Sequence, residues 1–360
     1  MPPITDSFSR SFAEARPKFI AAAQDAGAKI HTYGRDDLAG RDGEYLACDV
    51  AVIGPANAGK AIIAICGTHG SEGYCGSAIF HRWLLSEAVR RDGGDVKVVL
   101  VHAINPWAFS HKTRTTENNV DLNRNFLLDY ERVNHAYDRL APFYHAATHD
   151  AALGLAAHIE YKNFLDLHGW HLENELLAGQ THRPDGVCYA GKEPEWANRV
   201  FRTIVNDHLH SAEKIGFIDW HTGVGKFGEI VHLIFDDAGS PEHAAAEKWW
   251  GERRESGASF NSGAVPNYQG LLCKAIRQEL SGPRIAGAVI EFGTADDYGM
   301  FRGDRLDRWL RFEGRDDPQH DELREDYMQC CCPRDVSWRQ LVLREGPRKM
   351  DHLIQGMRDW

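Results

Sequence analysis

A histidine and a carboxylate stand three residues apart in Ile65-Cys66-Gly67-Thr68-His69-Gly70-Ser71-Glu72-Gly73, a glycine-rich turn between the apolar run 61–66 and a segment that reads as a helix. At the carboxyl end of a buried strand, two such side chains can close on one metal ion while the glycines keep the backbone clear. Alone the pair is a weak signal, because a chain with 19 histidines produces such spacings by chance. Two more predicted strands end in the same kind of residue: 215–220 delivers His221, and 285–290 delivers Glu291. In open α/β sheets, ligands gather outside the carboxyl ends of the strands, so groups distant in sequence converge there. Two histidines and a carboxylate with an open fourth position compose a catalytic zinc site of one ion. Glu291 beside it would be the base that takes a proton from water and hands it to a leaving nitrogen. Singly, each residue has a structural alternative: His221 as a loop cap, Glu291 in an ion pair with an arginine. Together, four such residues at three strand ends favour a site.

The elements that must carry these residues can be read from apolar patterning. Residues 7–26 have apolar positions at helical spacing (Phe8, Phe12, Phe19, Ile20, Ala23) and predict an outer amphipathic helix. Strands are predicted at 44–53, 61–66 and 96–104, with a helix at 74–91 ended by the turn Asp92-Gly93-Gly94-Asp95. The turn 54–60 matches the phosphate-loop pattern, but Ala61 stands where Ser or Thr is needed and a strand follows, so it reads as a hairpin turn. A long irregular stretch, 105–126, is rich in Asn, Thr and Arg, and loops of that length are more often functional than idle. A mostly helical region spans 130–210, followed by strands at 215–220, 230–235 and 285–291, helical stretches at 269–280 and 296–311, and a charged tail. The expected architecture is α/β: three-layer α/β/α with a mixed, mostly parallel central sheet and a helical insertion. One domain, 1–360, is expected, with a core at 44–312, the insertion at 130–210 and an extension at 313–360.

Composition narrows the function. A 43% hydrophobic chain of 360 residues can bury a substantial core, and a net charge of −11 gives no footprint for nucleic acid or an anionic membrane. The start of the chain has no basic-then-apolar pattern and no run is long enough to span a membrane, so a cytoplasmic enzyme is the expectation. The eight cysteines lack zinc-knuckle spacing; Cys330-Cys331-Cys332 cannot all face one ion and reads as reduced thiols. No His-Glu-x-x-His and no Gly-x-Ser-x-Gly is present. His168 and His171 are three apart but lack a further ligand, and Trp249-Trp250 reads as packing.

The order His69-x-x-Glu72, Asn105-Pro106, Lys112-Thr113-Arg114, Asp121-Leu122-Asn123-Arg124-Asn125-Phe126, Asp219-Trp220-His221 and Ile290-Glu291-Phe292-Gly293-Thr294 resembles the zinc carboxypeptidase family. In detail it is similar to a less characterised bacterial branch, in which 183–191 recurs in similar form; the match runs from about 60 to 295. The resemblance implies that His69, Glu72 and His221 bind zinc and that Glu291 is general base and acid. It further implies Arg114 at the oxyanion, Asn123 and Arg124 on the substrate carboxylate, and Asp121 orienting His69. Tyr268, ahead of the catalytic glutamate, is the candidate for a mobile tyrosine covering the substrate, against a packed turn aromatic. A guanidinium fork suits a carboxylate, since two parallel hydrogen bonds fix direction as well as charge.

Three functions follow. The first is a metallo-carboxypeptidase acting on peptides or small peptide-like substrates with a free carboxylate. The second keeps the chemistry and hydrolyses N-acyl amino acids, as the related aspartoacylase and succinylglutamate desuccinylase deacylases do. The third is a non-catalytic binding protein, which the base at Glu291 argues against. Neither nucleic acid nor membrane is expected as a partner, and homo-oligomerisation is left open.

Overall fold

The computed structural model describes residues 4–86, 94–131, 133–251 and 268–360. Among them seven strands form one sheet: β1 (Lys29–Ala39), β2 (Tyr45–Ile53), β3 (Lys60–Ile65), β4 (Val96–His102), β5 (Lys214–Gly223), β6 (Ile230–Leu233) and β7 (Arg284–Gly293). Their spatial order is β1-β2-β4-β3-β5-β7-β6. The central four, β4, β3, β5 and β7, are mutually parallel, and antiparallel pairs close both edges.

The central strands are apolar on both faces because both are covered. One face receives Ile62, Ala64, Ile218 and Ile290, packed with helices α1 (Phe12–Asp25) and α2 (Gly73–Leu84). The opposite face receives Ile63, Ile65, Ile215 and Phe217. After β4 comes the short helix α3 (Pro106–Ser110). The next region contributes α4 (His135–Tyr144), α5 (His149–Leu153), α6 (Leu155–His168), α7 (His171–Leu177) and α8 (Trp196–Leu209). Phe201, Ile204 and Val205 of α8 join the second face, whereas Tyr137, Tyr144, Tyr161 and Leu176 gather into a separate core with Phe301. Helices α4, α6 and α7 of the insertion thus share an apolar centre of their own, while Ala152 of α5 packs into the main core. The chain continues through α9 (Pro241–Trp250), α10 (Leu272–Glu279), α11 (Asp297–Arg311), α12 (His320–Cys331) and α13 (Val336–Asp359).

Three features differ from the reading of the sequence. The turn 54–60 is not a hairpin: β2 and β3 are not neighbours, because β4 lies between them, antiparallel to β2 and parallel to β3. Interleaving lets β3 keep parallel partners on both sides, and all its inward residues are fully buried. The edge strand β1 has no signal in the sequence, since its mostly exposed stretch KIHTYGRDDLA lacks apolar alternation and owes its conformation to pairing with β2. The charged tail folds into the main core: Trp338, Val342, Met350, Leu353 and Met357 of α13 are all buried.

The far end of the predicted helix 74–91 and the start of the turn at Asp92 lie outside the described residues, as does Asn267. All eight cysteines are free and buried. Trp249 and Trp250 pack edge to face at 5.6 Å in the main core. His168 and His171 are exposed on the surface. Among the described residues no helix is long and apolar enough to cross a membrane.

Candidate metal centre and its cleft

The turn after β3 takes a path that few side chains allow. Gly67 has φ +76°, and a Cβ on Gly70 would lie 2.0 Å from the carbonyl carbon of Ala108. The long loop is laced onto this turn, with Ser71 N–H donating to Thr113 O at 2.9 Å and Gly70 N–H to Arg114 O at 3.3 Å. His69 and Glu72 then lie on one side of a single helical turn, with Glu72 at the N-cap of α2.

Parallel register supplies the rest. On adjacent strands β5 and β7, His221 pairs with Glu291, so their side chains emerge side by side from the sheet edge. His69 Nδ1 lies 2.7 Å from Glu72 Oε1, and His221 Nδ1 lies 2.9 Å from Glu72 Oε2. Thr222 N–H donates to Glu72 Oε2 at 3.0 Å, and Arg114 Nη1 to Oε1 at 3.2 Å. Burial alone would raise the Glu72 carboxyl; His69 and His221 overcome it and hold the group well below the usual carboxylate range.

The donor set fits a divalent cation. One ligand atom from each of His69, Glu72 and His221 lies within 4.8 Å of the others, all three residues are buried, and this is the only such group among the described residues. Each imidazole has a carboxylate behind it: His69 Nε2 is 3.0 Å from Asp121 Oδ1, and His221 Nε2 is 3.0 Å from Asp219 Oδ2. That arrangement leaves Nδ1 of each ring for a metal and fixes the ring's orientation. The second contact has ion-pair distance without hydrogen-bond geometry. Asp219 is itself held by Thr68 Oγ1 at 2.8 Å. Two imidazoles and one carboxylate are donors that a borderline divalent cation such as zinc accepts.

Arg114 donates through Nε and Nη2 to Asp121 Oδ2, both at 3.2 Å, which keeps its guanidinium beside the centre. Burial would raise Asp121, but Arg114 and His69 hold it well below the usual range. Glu291 accepts one hydrogen bond, from Val224 N–H at 3.3 Å. Burial, aided by the like charge of Glu72, pushes its carboxyl up to about 7. The sign of its effect on folding follows. Its folded value of about 7 exceeds the ordinary 4.5, so its contribution to stability is full below 4.5 and is lost as pH rises through 7. In metal-free protein, the Tm of Glu291→Gln relative to wild type should therefore increase between about pH 5 and about pH 8.

These residues open on a cavity of about 580 Å³. Asn123 and Arg124 line it, Asn123 with Oδ1 engaged by Leu272 N–H at 2.9 Å. Arg124 donates from Nε to Leu177 O at 2.7 Å and from Nη1 to Asn123 O at 2.9 Å, and its guanidinium lies 4.6 Å from the centre of the Tyr268 ring. Arg124 Nη2 and Asn123 Nδ2 have no partner among the described residues. Tyr268 is half-buried against Phe235, at 6.0 Å, so it is a packed aromatic that also faces the cleft. Tyr144, Tyr161 and Leu177 of the insertion line the same cavity, which the insertion thus walls on one side.

The tail reaches the site as well. Thr222 and Thr294 hydroxyls donate to the carbonyls of Cys331 and Cys330, each at 2.5 Å, and Tyr327 pairs with Ser71 at 2.9 Å. The cysteine run is thus a backbone buttress at the ends of β5 and β7, the strands that carry His221 and Glu291. Nothing in its sequence signals that role. Asp304, on α11, also lines the cavity and has no motif to announce it.

Fold and site together define an α/β protein with a buried His-Glu-His set, suited to a cation, at the carboxyl ends of parallel strands. The chain belongs to the family described as protein of unknown function DUF2817, whose model matches residues 8–345. No curated protein matches it. Among solved structures it is similar to bovine thrombin-activatable fibrinolysis inhibitor in complex with tick carboxypeptidase inhibitor, at 13% identity and TM-score 0.47, covering 90% of this chain and 97% of that one. It is also similar to carboxypeptidase A from Helicoverpa armigera, at 10% identity and TM-score 0.44, with 89% and 73% covered. A Shewanella baltica protein provisionally described as a metallopeptidase matches at 13% identity and TM-score 0.45, with 83% and 90% covered. At such identities and TM-scores the likeness carries no activity across; the chain's own residues must do so.

Proposed function

We propose that the protein is a zinc-dependent amide hydrolase, and specifically a metallo-carboxypeptidase for short peptides with a free carboxylate. The observation that carries this reading is the buried His69-Glu72-His221 set with a raised carboxyl, Glu291, in register beside it. A zinc ion held there would act as a Lewis acid toward water and the substrate carbonyl. Glu291 takes the proton from the attacking water and returns it to the departing nitrogen, a role suited to a carboxyl near neutrality. Arg114, kept cationic and pinned by Asp121, faces the carbonyl oxygen as charge develops on it. Arg124 Nη2 and Asn123 Nδ2, both uncommitted, receive the substrate carboxylate, and Tyr268 covers it. Asp121 and Asp219 fix the two imidazoles.

The walled cavity favours short substrates, which keeps N-acyl amino acids as the rival class. Release of C-terminal residues from free-acid di- and tripeptides by zinc-loaded protein, compared with rates on N-acyl amino acids, decides between them. Should neither be hydrolysed by folded, zinc-loaded protein, the reading fails. Eight unpaired thiols suit a reducing compartment, and we assign the protein to the cytoplasm.

A charge-assisted contact from Arg124 has a measurable consequence. Arg124→Ala should raise KM for free-acid peptides about ten- to a hundredfold while changing kcat far less, and C-terminally amidated analogues should lose the difference. Equal effects on acids and amides would remove Arg124 from carboxylate recognition.

A further inference from the structure

The cleft holds one charge that the proposed reaction does not use. Of the carboxylates lining the cavity, most are already satisfied. Glu72 sits between two imidazoles, and Glu291 accepts the Val224 N–H. Asp297 lies 3.8 Å from Lys162, and Asp296 caps α11 through Gly299 N–H at 2.8 Å. Asp307 accepts from Thr113 Oγ1 at 2.7 Å and from Arg324, and Glu173 accepts from Tyr161 at 2.9 Å. Asp304 has neither a hydrogen bond nor an ion pair among the described residues.

Its position on α11 is one turn beyond Phe301, and Phe301 packs on Tyr144 at 5.2 Å and on Tyr161 at 4.9 Å. All three rings line the cavity. Arg114, whose charge acts on Asp304, directs its donors to Asp121 and Glu72 instead. A lone carboxylate beside aromatic walls is complementary to an ammonium or guanidinium, which gains from both the charge and the ring faces. Asp304 also lies in the fields of Arg114, Asp121 and His69, whereas Arg124 stacks on Tyr268. If Arg124 takes the carboxylate end and Arg114 the carbonyl oxygen, the Arg114 side of the cleft is the acyl side.

We propose that Asp304 binds a cationic group, an ammonium or guanidinium, on the acyl side of the scissile amide. This rests on the amide hydrolase reading above and sharpens its substrate class: short peptides that carry positive charge ahead of the bond cleaved. Burial and the like charges of Asp307 and Asp121 push Asp304 up to about 6 against the opposing charge of Arg114, so at neutral pH it is mostly ionised, with no direct partner among the described residues. An N-acyl amino acid with a neutral acyl group would leave it so.

The cation has two sources, the amino terminus of a dipeptide or a basic side chain, and four substrates separate them. Ala-Leu against N-acetyl-Ala-Leu reads the terminus; N-acetyl-Lys-Leu against N-acetyl-norleucyl-Leu reads the side chain. With zinc-loaded wild type, at least one cationic member should exceed its neutral counterpart in kcat/KM by about tenfold or more, and Asp304→Asn should remove that advantage while leaving the neutral rates within about threefold. No advantage in wild type, or one that survives in Asp304→Asn, overturns the proposal. If the variant fails to fold, Asp304→Ser replaces it, and the wild-type comparison stands by itself. If none of the four is hydrolysed, the amide hydrolase reading fails separately. The Asp304 site is then read by calorimetric binding of the same compounds to zinc-loaded protein, where cationic members binding no tighter than neutral ones overturn it.

Discussion

Glu291→Gln is expected to lower kcat by about a hundred- to ten-thousandfold while zinc stays bound at one ion per chain, the range typical of removing a positioned general base. Glutamine keeps the shape and the Val224 contact but cannot accept the proton of the attacking water. Glu291 is paired in register with His221 yet is not one of the three convergent ligand atoms, so metal content should be unaffected. The pH profile gives an independent reading. The base must be ionised, so kcat/KM in wild type falls as pH drops through its pKa. A bound dication lowers that pKa, so this acid limb lies below the metal-free value of about 7, and Glu291→Gln should lack it. An unchanged rate in Glu291→Gln would remove Glu291 from the mechanism.

Loss of the cation should have the second largest effect. Chelation is expected to abolish turnover and to reduce stability, because zinc at about a thousand times its Kd adds about 4 kcal/mol to the folded state. Reloading should release protons. Burial would lower the His221 imidazole, but Asp219 and Glu72 raise it well above the usual value, so it is protonated in the metal-free protein at neutral pH. A metal takes the neutral ring, and the displaced proton enters the buffer. Calorimetric enthalpies of zinc binding should therefore differ between buffers of unlike ionisation enthalpy, and the difference should shrink in His221→Ala along with affinity. Buffer-independent enthalpies at neutral pH would contradict a protonated His221.

What the sequence determined by itself was the set of strands whose ends carry chemistry. The runs before His69, His221 and Glu291 are apolar on both faces save Asp219, and in a covered parallel sheet such runs are legible because burial on two sides selects apolar residues. The spacing of His69 and Glu72 was legible for a similar reason: it reflects one turn of local backbone, which Gly67 and Gly70 permit. Everything set by which element lies beside which was not. The order β2-β4-β3 depends on competition among strands for partners, and local pattern does not encode it. The edge strand β1 depends on β2 for its conformation, and residues 336–359 look like a charged tail until Trp338, Met350 and Met357 find the sheet. Asp304 is the clearest case. In sequence it is one acidic residue on an amphipathic helix; only packing of α11 against the insertion turns it into an unpaired charge in the wall of the cleft.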